Sequence, residues 1–235
     1  MTEKLKSSSE KFACKYCEKE FSRERTLAVH LCEQKRRWTQ QGEAGPRIGL
    51  SAYNRFYELT AGASSAKSYD TFARSNYYKA FVKFGWYVHN IRAVNLPGFI
   101  DYLLKNSIKL DWWTKDRYYE QFVIEHMYRE CPQDALARTI EELTRWADEN
   151  GKEFDRFFFD ATSNKIASLI ANGRISPWVL FNCDQGKAAI GSFDETQLAM
   201  VFKWIDPDRW MSKFEKYPVD VIWARGILDG AGFNE

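Results

Sequence analysis

The sequence lacks the features that identify membrane proteins, secreted proteins and the common motif-bearing enzymes. No run of roughly 18 or more apolar residues occurs in the 235 residues, and the first thirty lack a hydrophobic stretch followed by a cleavage site. The sequence therefore predicts neither a membrane span nor a secretory signal, which favours a cytoplasmic location. A glycine-rich phosphate loop, a nucleophile elbow and a two-histidine metalloprotease motif are also missing. We therefore expect a protein without enzymatic activity.

Cysteine and histidine are scarce, with five and three residues respectively. An odd number of cysteines does not suggest a disulfide framework, and in a reducing compartment closely spaced cysteines indicate metal or redox chemistry. Apolar residues make up 45% of the chain and aromatic residues 16%, which is ample for a packed core. The length suits one sizeable domain with a small appendage.

The net charge of +2 is distributed unevenly along the chain. Residues 1–40 contain ten Lys and Arg against six Glu, which leaves 24 basic and 26 acidic residues for the remainder. The basic end of the protein is therefore its N-terminus, and an anionic partner is expected there.

The basic end also holds a cluster of metal-ligating residue types. Cys14 and Cys17 are separated by two residues, and twelve more residues separate Cys17 from His30. This spacing resembles that of the two-cysteine, two-histidine zinc finger, in which a β-hairpin supplies two thiolates and a helix supplies imidazole. The resemblance covers residues 12 to about 36, and it implies that Phe21 and Leu27 form the small core of the module.

The fourth ligand departs from the family pattern, because the usual positions hold no metal-binding side chain. Cys32 is the favoured candidate, since thiolate suits a closed zinc site better than a surface carboxylate. In a continuous helix His30 and Cys32 would point in nearly opposite directions, so the helix has to end or loosen just after His30. Glu33 is the runner-up, followed by water, Cys131 or Cys183. The predicted ligands of a structural zinc ion are Cys14, Cys17, His30 and Cys32.

The same segment suggests contacts with nucleic acid. The resemblance places the base-contact positions of the family on Arg23, Thr26 and Val29, and Arg25 lies between them in the sequence. The run from Lys35 to Trp38 adds positive charge and an aromatic ring, which favour phosphate contact and base stacking. The predicted nucleic-acid-binding residues are Arg23, Arg25, Thr26, Lys35, Arg36 and Arg37.

The predicted fold is mainly α, with a small ββα zinc-finger module followed by a multi-helix domain. The finger and its basic tail occupy residues 1–38, a polar linker 39–46 and the helical domain 47–235. Predicted helices span 47–61, 96–105, 132–150, 163–172, 177–183 and about 219–229, and another begins at Thr114. A capping box formed by Ser192 and Glu195 opens a helix that ends at Ile205, before a break at Asp206-Pro207. Aromatic spacing over 68–91 predicts one or two more helices, with Gly85 as an interruption.

The helical domain offers little recognisable chemistry. His126 lies in an aromatic stripe and is expected to be a half-buried core histidine. Cys131 and Cys183 are expected to be small buried residues, and acidic residues such as Glu142 are expected to lie on the solvated surface. The surplus of aromatic residues predicts a surface for a protein partner or for self-association.

These observations predict a zinc-containing protein that binds nucleic acid, with DNA favoured over RNA, while the helical domain mediates assembly. The segment from Phe12 to Arg37 also resembles finger segments of uncharacterised proteins encoded by large tailed bacteriophages. That resemblance implies a role in phage replication, transcription or packaging in a bacterial cytoplasm. The alternative is a protein–protein adaptor in which the finger is only a structural clip.

Overall fold

The computed structural model describes residues 11–234, and within them the protein is mainly helical, with a two-stranded sheet at its N-terminus. The first ten residues of the predicted 1–38 module lie outside the described residues. Two compact units are present: Met1–Asn90 with Lys109–Asp111, and Ile91–Ile108 with Trp112–Glu235. Within residues 11–234, no helix combines the length and apolar character needed to cross a bilayer.

The first unit contains the sheet and five helices within its described part. Strands β1 (Phe12–Ala13) and β2 (Glu20–Phe21) precede α1 (Glu24–Ala28), α2 (Glu33–Thr39), α3 (Ala44–Ala61), α4 (Tyr69–Arg74) and α5 (Tyr78–Asn90). Residues 40–43 of the predicted linker form a turn, whereas residues 44–46 open α3 and include the buried Gly45 and Pro46. The predicted helix end at residue 61 is confirmed, because Gly62 adopts a left-handed φ of 62° beyond it.

Helices α3 and α5 pack closely because both carry glycine at their contact. A Cβ atom on Gly85 of α5 would lie 2.1 Å from the carbonyl oxygen of Gly45 on α3. The predicted interruption at Gly85 is therefore wrong, since α5 runs unbroken from Tyr78 to Asn90 with Gly85 buried inside it. The glycine serves close helix–helix approach rather than a break.

The second unit contains helices and no strand within its described part. Its α-helices are α6 (Leu96–Lys105), α7 (Asp116–Arg129), α8 (Pro132–Asn150), α9 (Phe157–Asp160), α10 (Ser163–Ala171), α11 (Pro177–Leu180), α12 (Asp184–Gly191), α13 (Glu195–Ile205), α14 (Pro207–Lys216) and α15 (Pro218–Gly230). A short 3-10 turn occurs at Phe154–Arg156, and another, Leu110–Trp112, begins in the first unit and ends in the second. The predicted bounds of α6 and α8 are confirmed.

Helices α9, α12 and α14 are additions to the predicted set. Cys183 falls at the end of the predicted 177–183 helix, but it caps the start of α12 by accepting a hydrogen bond from the backbone N–H of Gly186. Asp206-Pro207 ends α13 as predicted, and the same pair also starts α14, because the Asp206 side chain caps its first turn.

Two local predictions in the second unit are wrong. The capping box of α13 is formed by Asp194 and Gln197 rather than by Ser192 and Glu195, and the Gln197 amide also reaches Asn164 at 2.7 Å. Cys131 is exposed instead of buried, because it stands just ahead of α8, whereas Cys183 is buried as expected.

Helix α8 carries the largest departure from expectation. The spacing of Leu136, Ile140, Leu143 and Trp146 predicts that all four point inward; Ile140 is half-buried and the other three are buried. Glu142 is also buried, with 2% of its surface exposed. It lies on the inward side of the helix and is bound by arginines from other segments. The expectation that Glu142 lies on the solvated surface is therefore wrong.

Candidate metal centre

The N-terminal hairpin brings two thiols to one turn. Strands β1 and β2 pair antiparallel, with Phe12 opposite Phe21. The turn between them closes through the backbone of Cys14, whose N–H donates to the carbonyl of Lys19 at 2.9 Å and whose carbonyl accepts from Glu18 at 2.7 Å. Cys17 lies within this turn, so both sulfur atoms are presented from the same end of the hairpin.

A break between two helices brings the other two ligand types to the same place. Helix α1 ends at Ala28, and Cys32 is the extended N-cap residue of α2, with φ −89° and ψ 166°. The Sγ atom of Cys32 accepts a hydrogen bond from the backbone N–H of Lys35 at 3.3 Å. The requirement that the helix ends near His30 is confirmed, and this break lets His30 and Cys32 face one point.

The four side chains form one compact ligand set. Single ligand atoms of Cys14, Cys17, His30 and Cys32 all lie within 4.8 Å of one another, and Cys17 Sγ is 3.3 Å from His30 Nε2. In a tetrahedral zinc site the metal–ligand bond lengths place sulfur and nitrogen about 3.5 Å apart and two sulfurs about 3.8 Å apart. Three sulfurs and one imidazole nitrogen at this spacing could hold a single metal ion.

The other candidate ligands do not belong to this set. Glu33 is engaged by Arg37 at 2.8 Å, Arg36 at 3.3 Å and Lys79 at 3.3 Å. The hydrogen bond from Arg37, followed by that from Lys79, lowers the pKa of Glu33. The carboxylate is therefore paired with cations, and the group of clustered ligand atoms contains Cys32 in its place.

The two thiols of the Cys-x2-Cys pair differ in pKa because of their positions in the hairpin turn. Burial acts to raise the pKa of Cys14, but hydrogen bonds from the backbone of Cys17 and Tyr16 and from neighbouring thiols outweigh it, so the pKa is lowered. The backbone hydrogen bond from Lys19 acts to lower the pKa of Cys17, but burial and the neighbouring thiols together outweigh it, so that pKa is raised. Cys14 is the more readily ionised of the pair, as a metal ligand must be.

Aromatic contacts hold the cluster against α2 and α4. The ring of Phe21 lies 4.8 Å from that of His30, in keeping with its predicted place in the small core. Trp38 lies between Tyr16, at 6.1 Å, and Tyr69, at 5.5 Å between ring centroids. The indole is therefore packed within the first unit, and the predicted stacking of Trp38 on a base would have to displace these contacts.

The predicted nucleic-acid-binding residues fall into two groups. Arg23, Arg25 and Thr26 are exposed at the start of α1, and no ion pair engages either arginine within residues 11–234. Arg36 is exposed on α2, and Lys35 is half-buried with its Nζ atom 3.3 Å from the carbonyl of His30. These five side chains lie on or next to α1 and α2, the helices that flank His30.

Arg37 differs from this group because its guanidinium is used inside the protein. It donates to the carbonyl of Ala73 at 2.6 Å and to Glu33 at 2.8 Å, and it lies 4.5 Å from the ring centroid of Tyr78. Only 14% of its side chain is exposed. Arg37 therefore joins α2 to α4 and α5 and has little surface left for a ligand.

A cleft of about 420 Å³ opens beside the cluster. Its lining includes two predicted ligands, Cys14 and His30, the apolar Leu27, and two lysines, Lys15 and Lys35. Sequence reasoning missed Lys15, although its position between two predicted ligands could have identified it. The cleft combines an apolar wall with positive charge directly beside the metal-ligating atoms.

Comparison with known proteins adds nothing to this geometry: no family model, no curated protein and no solved structure matches the chain. Its function therefore has to be inferred from the ligand cluster and the side chains around it.

Proposed function

We propose that residues 12–39 form a zinc-binding module of the ββα finger type, with its helix divided in two, and that this module binds nucleic acid. The observation that carries the proposal is the convergence of three cysteine sulfurs and one histidine nitrogen within 4.8 Å. When bound, zinc would supply a structural cross-link, since a closed four-ligand set leaves no open position for a substrate.

Metal binding would stabilise a segment that has little core of its own. None of the residues of α1 or α2 is fully buried, and the two strands contain two residues each. Such a short segment buries too little apolar surface to stay ordered by itself, so ligand bonds and the Trp38 contacts together hold it.

The charge around the cluster supports an anionic partner. Arg23 and Arg25 are exposed at the start of α1, Arg36 is exposed on α2, and Lys15 and Lys35 line the adjacent cleft. Arginine and lysine at such positions contact phosphate, and phosphate contacts supply most of the affinity of sequence-independent binding. Arg37 is left out of the proposed binding surface, because that side chain is engaged within the protein. DNA stays the favoured nucleic acid, and the phage resemblance stays a prediction.

The test measures metal content together with nucleic-acid binding. Fluorescence anisotropy with single-stranded DNA, double-stranded DNA and RNA, at about 50 and about 200 mM salt, would give affinity and salt dependence. In a variant with Arg23, Arg25 and Lys35 changed to alanine, we expect affinity at least about tenfold lower. The salt slope should also be shallower, by about 0.9 for each phosphate that the variant no longer neutralises.

A matched control removes three lysines remote in sequence from the cluster, Lys83, Lys165 and Lys187, all exposed. Both triple variants have three fewer positive charges than the wild type, so a general electrostatic effect would weaken binding equally in the two. Absence of salt-sensitive binding in the zinc-loaded wild-type protein would refute the nucleic-acid function and leave the metal site intact.

The alternative, a protein–protein adaptor with the module as a structural clip, is favoured by the internal contacts of Arg37 and Trp38. It predicts one zinc per chain, a loss of stability on chelation and no binding of nucleic acid. The predicted contact surface of the helical domain stays a prediction, and the exposed Val219, Ile222 and Trp223 of α15 are the apolar side chains to test in it.

A further inference from the structure

Three arginines of the second unit converge on one buried carboxylate. Glu142 of α8 accepts from Arg92 Nη2 at 2.5 Å and from Arg174 Nε at 2.9 Å, and it also contacts Arg145 Nη2. Arg92 precedes α6, and Arg174 lies between α10 and α11, so two separate connections are joined to α8 at one point. Glu142 itself is 2% exposed.

This arrangement has more positive charge and more donors than Glu142 can satisfy. Three guanidinium groups against one carboxylate leave a local surplus of two charges, 3 − 1 = 2. Each guanidinium has about five N–H donors, whereas a carboxylate offers about four acceptor sites. Two exposed carboxylates of α8 offset part of this charge through longer-range attraction: Glu141 acts on both Arg145 and Arg174, and Glu149 acts on Arg145.

Burial and the surplus of positive charge together lower the pKa of two of the arginines. The pKa of Arg174 is lowered first by burial and then by repulsion from Arg92. The same two causes, in the same order, lower the pKa of Arg145. Like charges held together in a partly buried place favour an added anion.

The cluster is also open to solvent on one side. The side chain of Arg92 is 39% exposed and that of Arg145 is 32% exposed, whereas Arg174 is 12% exposed. Arg92 is presented from backbone in the left-handed region, with φ 51°, which is unusual for a residue with a side chain. Arg92 and Arg145 are thus partly exposed beside the inner Arg174, and the Nη2 atom of Arg145 is itself buried without a hydrogen-bond partner among the described residues.

We propose that Arg92, Arg145 and Arg174 form a binding site for a phosphate group, with Glu142 as the buried carboxylate that positions them. Guanidinium groups bind phosphate through paired N–H donors, and a tetrahedral anion can accept from several arginines at once. Glu142 is a positioning residue here, since it orients the arginines and does not contact the anion. This site is separate from the metal centre, and the proposal does not rest on the function proposed there.

The experiment titrates the intact protein with inorganic phosphate at constant ionic strength and follows binding by calorimetry and thermal denaturation. We expect saturable binding that persists after metal chelation. Changing Arg92 and Arg145 together to glutamine should weaken it at least about tenfold, because each removes a charge-assisted contact. The matched control changes Arg129 and Arg156 together to glutamine, which also removes two positive charges, from exposed arginines that each pair with an acid four residues away.

Two further arms make the result decisive. In the first, a nucleoside and its monophosphate are titrated beside inorganic phosphate. Equal affinity for phosphate and the monophosphate indicates a site for free phosphate, tighter binding of the monophosphate indicates a nucleotide, and both results support the site. Glu142→Gln, checked for folding by circular dichroism, should weaken phosphate binding, because an amide accepts from fewer guanidinium donors than a carboxylate and no longer orients the three arginines. Wild-type affinity in this variant would contradict the positioning role. Stabilisation that follows ionic strength alone, or wild-type affinity in the double arginine variant, would overturn the proposal.

Discussion

Cys17 Sγ lies 3.3 Å from His30 Nε2, although thirteen positions separate the two residues. The hairpin turn and the break between α1 and α2 produce this proximity. Neither element is long, and neither has a substantial core. The ligand atoms of the two elements nevertheless lie at one location.

The first prediction concerns the fourth ligand. Cys32→Ser should reduce zinc affinity by more than about 100-fold, since losing a ligand costs more than losing one of its supporting hydrogen bonds. Serine is a good N-cap residue, so the start of α2 is preserved and the reduced affinity reports the metal bond. Metal content and competition with a chelator measure the effect.

Two controls accompany this variant. Glu33→Gln tests the runner-up ligand, and Cys131→Ser removes an exposed thiol outside the cluster. Both should retain wild-type affinity for zinc. Loss of zinc from Glu33→Gln with retention in Cys32→Ser would reverse the ligand assignment.

The second prediction compares the contributions of Arg37 and Arg36 to stability. Arg37→Ala should lower the free energy of unfolding by about 2–3 kcal/mol, because it removes hydrogen bonds of a charged donor to Ala73 and Glu33. Arg36→Ala should change it by less than about 0.5 kcal/mol, since that side chain is 59% exposed. Urea denaturation of both variants gives the comparison, and equal values would contradict the assigned role of Arg37.

The third prediction uses two helical glycines. Gly85→Ala should destabilise the protein by about 3 kcal/mol or more, because the new methyl group would meet the carbonyl oxygen of Gly45, which a side-chain rotation cannot relieve. Gly226→Ala on α15 should stabilise it by about 0.5–1 kcal/mol, since nothing lies within 4 Å of the added carbon. Thermal and urea denaturation should move in opposite directions for the two variants. A shift of the same sign in both would refute the close approach of the two helices.

The fourth prediction concerns the buried Lys213 of α14. Its Nζ atom donates to the carbonyls of Tyr128 and Glu130, at 2.5 and 3.1 Å, near the end of α7. Burial lowers the pKa of Lys213 to about 8 from 10.5, against the opposing attraction of Glu130. Between these two pH values the unfolded chain binds more protons at this lysine than the folded chain does.

The contribution of Lys213 to stability should therefore rise with pH between 8 and 10.5, by up to about 3 kcal/mol, and that gain should be absent below pH 8. Lys213→Met removes the titrating amine but keeps an apolar side chain of similar length. The difference in unfolding free energy between wild type and Lys213→Met, measured by urea denaturation at several pH values, should change over this window. A constant difference would contradict the depressed pKa.

Several features of the protein could be read from local sequence. The pairing of Cys14 with Cys17, the helix end at Gly62 and the start of α6 depend on residues within a few positions of one another. Turns, caps and close ligand pairs are local in this sense, and their physical causes are local as well. Even there, the capping box of α13 lies two residues later than expected. Asp194 and Gln197 have the same spacing as the predicted pair, Ser192 and Glu195, and they form the box instead.

Other features depended on contacts between distant segments. The sequence by itself determined the helical class, the ligand types and the basic N-terminal end. Only the tertiary structure decided that Glu142 is buried beneath Arg92 and Arg174, and that Arg37 is held by Ala73. Helical periodicity cannot distinguish a buried carboxylate from a solvated one, because the compensating charges come from residues that only folding brings near.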